Sequence, residues 1–82
     1  MLILITPEAE KQYNHLPKVE QKKVKKKLLI LEKNPNSGKK LSGKLSELWS
    51  LRAWPYRIIY YINQSQNTLY VVMIAHRQGV YK

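Results

Sequence analysis

"ELWSLRAWPYRIIYYI", Glu47 to Ile62, decides how this chain folds. Trp, Tyr and Ile fit a pleated, half-buried surface, so the stretch reads as two short strands joined at Trp54-Pro55. Strand side chains alternate between faces. Leu48, Ser50 and Arg52 therefore share one face of the first strand, and Arg57, Ile59 and Tyr61 share one face of the second. Pairing Ala53 with Tyr56 sets Arg52 directly across from Arg57. Like charges placed opposite each other on a sheet cost stability. The expectation is an anionic ligand that makes the arrangement worthwhile. Proline at the second central position of the turn predicts a cis peptide or a wider loop.

The whole chain agrees with an anionic ligand. Its 82 residues suit one modest domain, 1–82, whose core leaves little stability to spare. Fifteen Lys and Arg against five Asp and Glu give a net charge of +10. Charge of that size speaks to partners: nucleic acid, an acidic protein or an anionic surface. With no cysteine, a disulfide framework and thiolate metal sites are excluded. "MLILI" at Met1 to Ile5 is too short for a signal-peptide apolar region or a membrane span. A cytoplasmic location with no membrane partner is expected.

Upstream of the hairpin, "LILIT" (Leu2 to Thr6) reads as a buried strand. Thr6 can cap a helix that starts at Pro7, with Glu8 and Glu10 at its positive end. A second helix runs from Pro17 to Asn34, its apolar stripe formed by Val24, Leu28 and Leu31. "NPNSGKKLSGK" (Asn34 to Lys44) is a loop by composition, and "NQSQN" (Asn63 to Asn67) a polar turn before a last strand, "TLYVVMIAHR". The order β-α-α-β-β-β predicts an α+β domain. Two N-terminal helices pack on one face of a small, mostly antiparallel sheet, and the other face is open.

Three features bear on chemistry. The run "KKVKKK" (Lys22 to Lys27) is either a solvated helix face or a source of salt-dependent attraction to phosphate. Seven aromatic residues lie from Trp49 onward; most are expected in the core, with Tyr61 and Tyr81 as candidates to stack on unpaired RNA bases. "AHRQGVYK" (Ala75 to Lys82) brings His76, Arg77 and Tyr81 together in sequence. An imidazole, a permanent cation and a phenol are the parts needed to move protons and stabilise charge on a phosphate. The other histidine, His15, falls in the first helix and carboxylates are few, so no metal site is expected.

The chain resembles the RelE/ParE superfamily of bacterial toxins over essentially its whole length, and within it the RelE-type ribosome-dependent mRNA interferases. The residues that carry the resemblance are "LPK" before the second helix, "NP" after it, "LSGKLSELWSLR", "YRIIYYI" and "HRQGVY". The resemblance implies a RelE-like sheet with two helices on one side and an RNA-binding concavity on the other. It assigns transition-state stabilisation to Arg57, charge stabilisation or leaving-group protonation to Arg77, and substrate orientation or help to the attacking hydroxyl to Tyr81. Arg52, Lys44 and Tyr61 are then the expected RNA-binding residues. The implied reaction is attack of an mRNA 2′-hydroxyl on its adjacent phosphate, with no metal and no other cofactor, since guanidinium groups can hold the pentacoordinate dianion. The implied partners are a cognate antitoxin with an acidic, partly disordered segment, and the ribosome with mRNA in its A site.

This sequence departs from the pattern in two places. Some RelE-type toxins carry a lysine pair on the first hairpin strand, at positions that here are Leu48 and Ser50. The general base is thus unassigned among His76, Tyr81 and Lys44; an unperturbed imidazole, near 6.5, needs the least adjustment. The turn carries Trp54-Pro55 where the family usually has a Gly-Asp-like pair. The alternative reading is a ParE-like toxin of the same fold that poisons DNA gyrase without nuclease chemistry. "HRQGVY" favours the nuclease, and the missing lysines keep the other reading open. A non-enzymatic RNA-binding protein would explain the charge but leave Arg57, Arg77 and Tyr81 without a shared purpose.

Overall fold

The computed structural model describes residues 1–41, 43 and 47–76. Its elements run β1 (Leu2–Ile5), α1 (Pro7–Asn14), α2 (Lys18–Lys33), β2 (Lys39–Lys40), β3 (Trp49–Ala53), β4 (Tyr56–Asn63) and β5 (Thr68–His76). Single 3-10 turns occupy Pro35–Ser37 and Gln64–Gln66. The strands form one sheet in the order β1-β5-β4-β3-β2, parallel between β1 and β5 and antiparallel elsewhere. This is the α+β arrangement expected from the sequence, and among the described residues no helix is long and apolar enough to cross a membrane.

Each helix starts where its sequence says it should. The Thr6 hydroxyl accepts the Ala9 N–H at 3.3 Å, Pro7 takes the first turn, and Glu8 and Glu10 sit at the positive end. Pro17 separates the helices, and two bonds tie them together. Gln21 Nε2 donates to the Tyr13 carbonyl at 3.1 Å, and Tyr13 Oη donates to the Gln21 carbonyl at 3.3 Å. Val24 and Leu31 are fully buried and Leu28 is partly buried, so the predicted stripe faces the sheet. There it meets Ala53, Ile58, Tyr60, Leu69, Val71 and Ile74. Burying a side chain of this size stabilises by roughly 1.5–3 kcal/mol.

Two expectations are corrected. β1 is not a buried strand: it is a sheet edge, with Leu2, Leu4 and Ile5 exposed by 59%, 42% and 38%. Only Ile3 of its four residues packs against the core. The segment after α2 is not merely loop, because Lys39 and Lys40 form β2 opposite Ser50 and Trp49. A run this short carries no periodicity for a sequence to display.

The segment between α2 and β2 is held by the phenol of Tyr60. Its Oη donates to the Pro35 carbonyl at 2.9 Å and accepts the Gly38 N–H at 3.0 Å. The backbone passes so close that a Cβ on Gly38 would lie 2.4 Å from that oxygen and 2.8 Å from the Ser50 carbonyl. Tyr60 itself is fully buried and stacks on Trp49 at 6.1 Å between ring centroids. β5 has its own fastening beyond the end of β1. Thr6 N–H donates to the Val71 carbonyl at 3.0 Å, and Ile74 N–H donates to Gln12 Oε1 at 2.7 Å. These bonds satisfy strand groups that β1 is too short to reach.

Burial holds the Tyr60 phenol above its ordinary value of 10.0, with the Gly38 N–H pulling it partly back. A folded value above the unfolded one adds stability that is complete below about pH 10 and is lost as pH rises through the folded value. Tyr60→Phe strands two backbone groups and is expected to cost about 1–3 kcal/mol in urea denaturation. It should also flatten the decline in stability above pH 10. A variant with the wild-type midpoint and the wild-type alkaline decline would remove Tyr60 from this role.

Candidate active site

The face of the sheet away from the helices takes its chemistry from the β3–β4 hairpin. Arg52 pairs with Arg57 and Ala53 with Tyr56, the register expected from the sequence, and the Trp54-Pro55 peptide is cis. Alternation along β3 and β4 places Ser50, Arg52, Arg57 and Ile59 on the face away from the helices. Lys39 of β2 pairs with Ser50 and joins the same side. Ser37, Gly38, Lys39, Ser50, Arg52 and Arg57 line an open concavity of about 400 Å³. Three of these residues are cations and none is a carboxylate.

The two arginines face each other at a cost, and the surroundings lower it. The Arg52 guanidinium lies over the Trp54 ring, 5.7 Å from its centroid. Such contact at an exposed site contributes about 0.5–1 kcal/mol, comparable to the roughly 0.2–1 kcal/mol scale of a cross-strand charge pair. The two effects are of similar size and opposite sign. Arg52 is exposed and Arg57 half-buried, so the pair reaches solvent from different depths. At the floor, the Ser50 hydroxyl is buried, and among the described residues it has no hydrogen-bond partner. Cations around a buried hydroxyl suit an oxyanion such as phosphate, which can accept from all of them.

Not every candidate from the sequence reaches this concavity. Tyr61 is on the same face but stacks on Tyr70 at 6.2 Å, and it lines a separate hollow with Asn36, Lys40, Glu47 and Trp49. His76 is displaced further. β4 and β5 pair Tyr61 with Tyr70 and Tyr60 with Val71, but Ile59 with Met73, so Val72 is passed over as a bulge. One extra residue reverses which face every later side chain takes. Ile74 turns into the core, and His76 falls on the helix side against Tyr56, with ring centroids 5.6 Å apart. The imidazole therefore does not share the concavity with Arg57. Arg77, Tyr81 and Lys44 lie outside the described residues.

Local pattern placed Ser50 on the face of Arg52 but did not mark Lys39 or Gly38 as parts of the site. Lys39 sits in a stretch that reads as loop, and the closeness of Gly38 to Tyr60 is set by tertiary contact alone. Among the described residues no three His, Asp or Glu side chains group to hold a metal.

Residues 3–81 match the family described as ParE toxin of type II toxin-antitoxin system, parDE. Among solved structures, a chain of the RelBE2 toxin-antitoxin complex from Mycobacterium tuberculosis has a TM-score of 0.85 at 26% identity, over 93% of this chain and 96% of that one. The isolated Escherichia coli RelE toxin has a TM-score of 0.77 at 22% identity, over 92% and 82%. A chain of the RelE-RelB complex of Pyrococcus horikoshii has a TM-score of 0.78 at 23% identity, over 96% and 97%. No curated protein matches.

If the concavity holds phosphate, its cations set the salt dependence of binding. For a single-stranded oligoribonucleotide followed by fluorescence anisotropy, Arg52→Gln and Lys39→Gln should each lower the slope of log affinity against log salt by about 0.7. Lys11→Gln, on α1, should leave the slope unchanged. Because repulsion and stacking are of similar size and opposite sign, Arg52→Gln should change stability by less than about 0.5 kcal/mol. Equal slopes for all four proteins would place the phosphates elsewhere.

Proposed function

The chain belongs to the family of ParE toxins of type II toxin–antitoxin systems, and from that premise we propose that it is a ribosome-dependent endoribonuclease cleaving mRNA in the A site. The observation that carries the reading is the Arg52–Arg57 pair, set with Lys39 around a concavity that has no carboxylate among its described lining residues. Three cations on one small surface are arranged for an anion that gathers charge, as a phosphodiester does during cleavage.

In the proposed reaction the 2′-oxygen of one nucleotide attacks the adjacent phosphorus and the bond to the 5′-oxygen of the next breaks. The products are a 2′,3′-cyclic phosphate and a free 5′-hydroxyl. Arg57, half-buried and fixed by the hairpin, holds the pentacoordinate phosphorane. Arg52 and Lys39 hold the flanking phosphates. The resemblance assigns Arg77 to the leaving group and Tyr81 to orienting the 2′-hydroxyl. With His76 turned to the other face, Tyr81 and Lys44 are the proposed proton acceptors. Neither phenol nor ammonium is an ordinary base at neutral pH. The ribosome is assigned the rest: holding the mRNA in line supplies rate by orientation alone.

Control by a cognate antitoxin follows from the same membership, since several of the similar structures are toxin-antitoxin complexes. The second reading, poisoning of DNA gyrase without RNA cleavage, is favoured by the ParE description of the matching family and by Leu48 and Ser50 in place of lysines.

Primer extension on a reporter mRNA in a reconstituted translation system separates the two. Cuts within A-site codons, dependent on ribosomes, are expected. Arg57→Ala should slow cleavage about a hundred- to a thousandfold, the usual effect of removing a preorganised charge stabiliser, while Lys22→Ala changes little. Intact mRNA alongside cleaved, gyrase-bound DNA would replace this reading with the second.

A further inference from the structure

A second surface lies on the opposite side of the sheet from the arginines. Lys23, Lys26, Lys27 and Ile30 fall on one stripe of α2, at spacings of three, four and seven. With Ala53 and Trp54 of the hairpin they line a groove of about 270 Å³. Its two large apolar members are open to solvent, Ile30 by 45% and Trp54 by 52%, over a buried Ala53. Large apolar side chains left exposed together beside a rim of like charge mark an interaction site rather than a chance pattern. Lys23 meets Glu20 at 3.3 Å across one turn of helix, and the lining residues include no carboxylate.

We propose that this groove is the docking site for an acidic segment of the antitoxin, one or two of whose apolar side chains enter between Ile30 and Trp54 while its carboxylates meet Lys23, Lys26 and Lys27. The choice of occupant follows from complementarity of both kinds. An RNA strand would satisfy the lysines and leave Ile30 exposed, whereas an acidic amphipathic segment covers both. The exposed β1 edge offers Leu2, Leu4 and Ile5 without a comparable basic rim, so it lacks half of that match. The groove also touches the site indirectly: its Trp54 is the ring over which the Arg52 guanidinium lies. The inference rests on the reading of this chain as a toxin with a protein partner.

The test uses the full chain and the antitoxin encoded beside it, titrated by calorimetry. Ile30→Asp and Lys26→Glu replace side chains on the exposed face of α2 and should each weaken binding at least tenfold, with native circular dichroism retained. Leu4→Asp, on the β1 edge, should bind as the wild type does. Growth arrest by Ile30→Asp should persist and no longer be relieved by the antitoxin. Wild-type affinity in both groove variants, or loss of binding in Leu4→Asp instead, would overturn the proposal. So would Ile30→Ala that binds normally beside Lys26→Ala that loses antitoxin and a single-stranded oligoribonucleotide in equal measure, since the groove would then be an RNA track. Failure of the wild-type chain to bind at all would overturn the toxin–antitoxin reading, and the groove with it.

Discussion

The site depends on one phenol. Tyr60 sits in the core among the helix-facing residues of β4, yet its oxygen is bonded to the backbone on both sides of the turn that leaves α2. That bridge holds Pro35–Ser37 against the sheet, and the two-residue β2 that follows has few bonds of its own to fix its position. β2 in turn carries Lys39 into register with Ser50. A buried group on one face thus sets the position of a cation on the other. The arrangement is possible because Gly38 has no side chain, so the backbone can approach Tyr60 and the Ser50 carbonyl together.

The hairpin is the second constraint. A two-residue connection sets Arg52 opposite Arg57, and a one-residue slip of register would turn the strand's faces over. Trp54 belongs to both sides of this arrangement. Its ring accepts the Arg52 guanidinium, and it also walls the groove beside α2. The hairpin therefore borders both the concavity and the groove, so an 82-residue chain presents two hollows from one short element. A net charge of +10 would speed the approach of an anionic partner to either surface at long range.

What the sequence made legible is what local rules determine. Thr6-Pro7 marks a helix start because the cap and the first turn are made by adjacent residues. The opposition of Arg52 and Arg57 followed from alternation and turn length, both local. The rest depended on contacts between distant residues. An apolar run such as "LILI" looks the same in a central strand and at an edge, and only the sheet order shows which it is. The position of His76 turned on a bulge at Val72, and "LYVVMIA" contains no glycine or polar break to announce one. Lys39 was hidden for a simpler reason, since two residues cannot express a period of two.

The pairing of β1 with β5 has a temporal side. Thr6 bonds to Val72 across 66 residues of sequence, and the Leu2 to Ile5 register with Thr68 to Val71 spans nearly the whole chain. Contacts so far apart are made late, because a long loop must close before they repay its entropy. During synthesis β1 emerges before β5 and waits for it while the helices and the hairpin are made. The sheet cannot be completed on a partial chain. A nascent fragment that already carries Arg52 and Arg57 still lacks the neighbouring strand against which β4 is braced, so the hairpin cannot be locked in place until β5 has been translated.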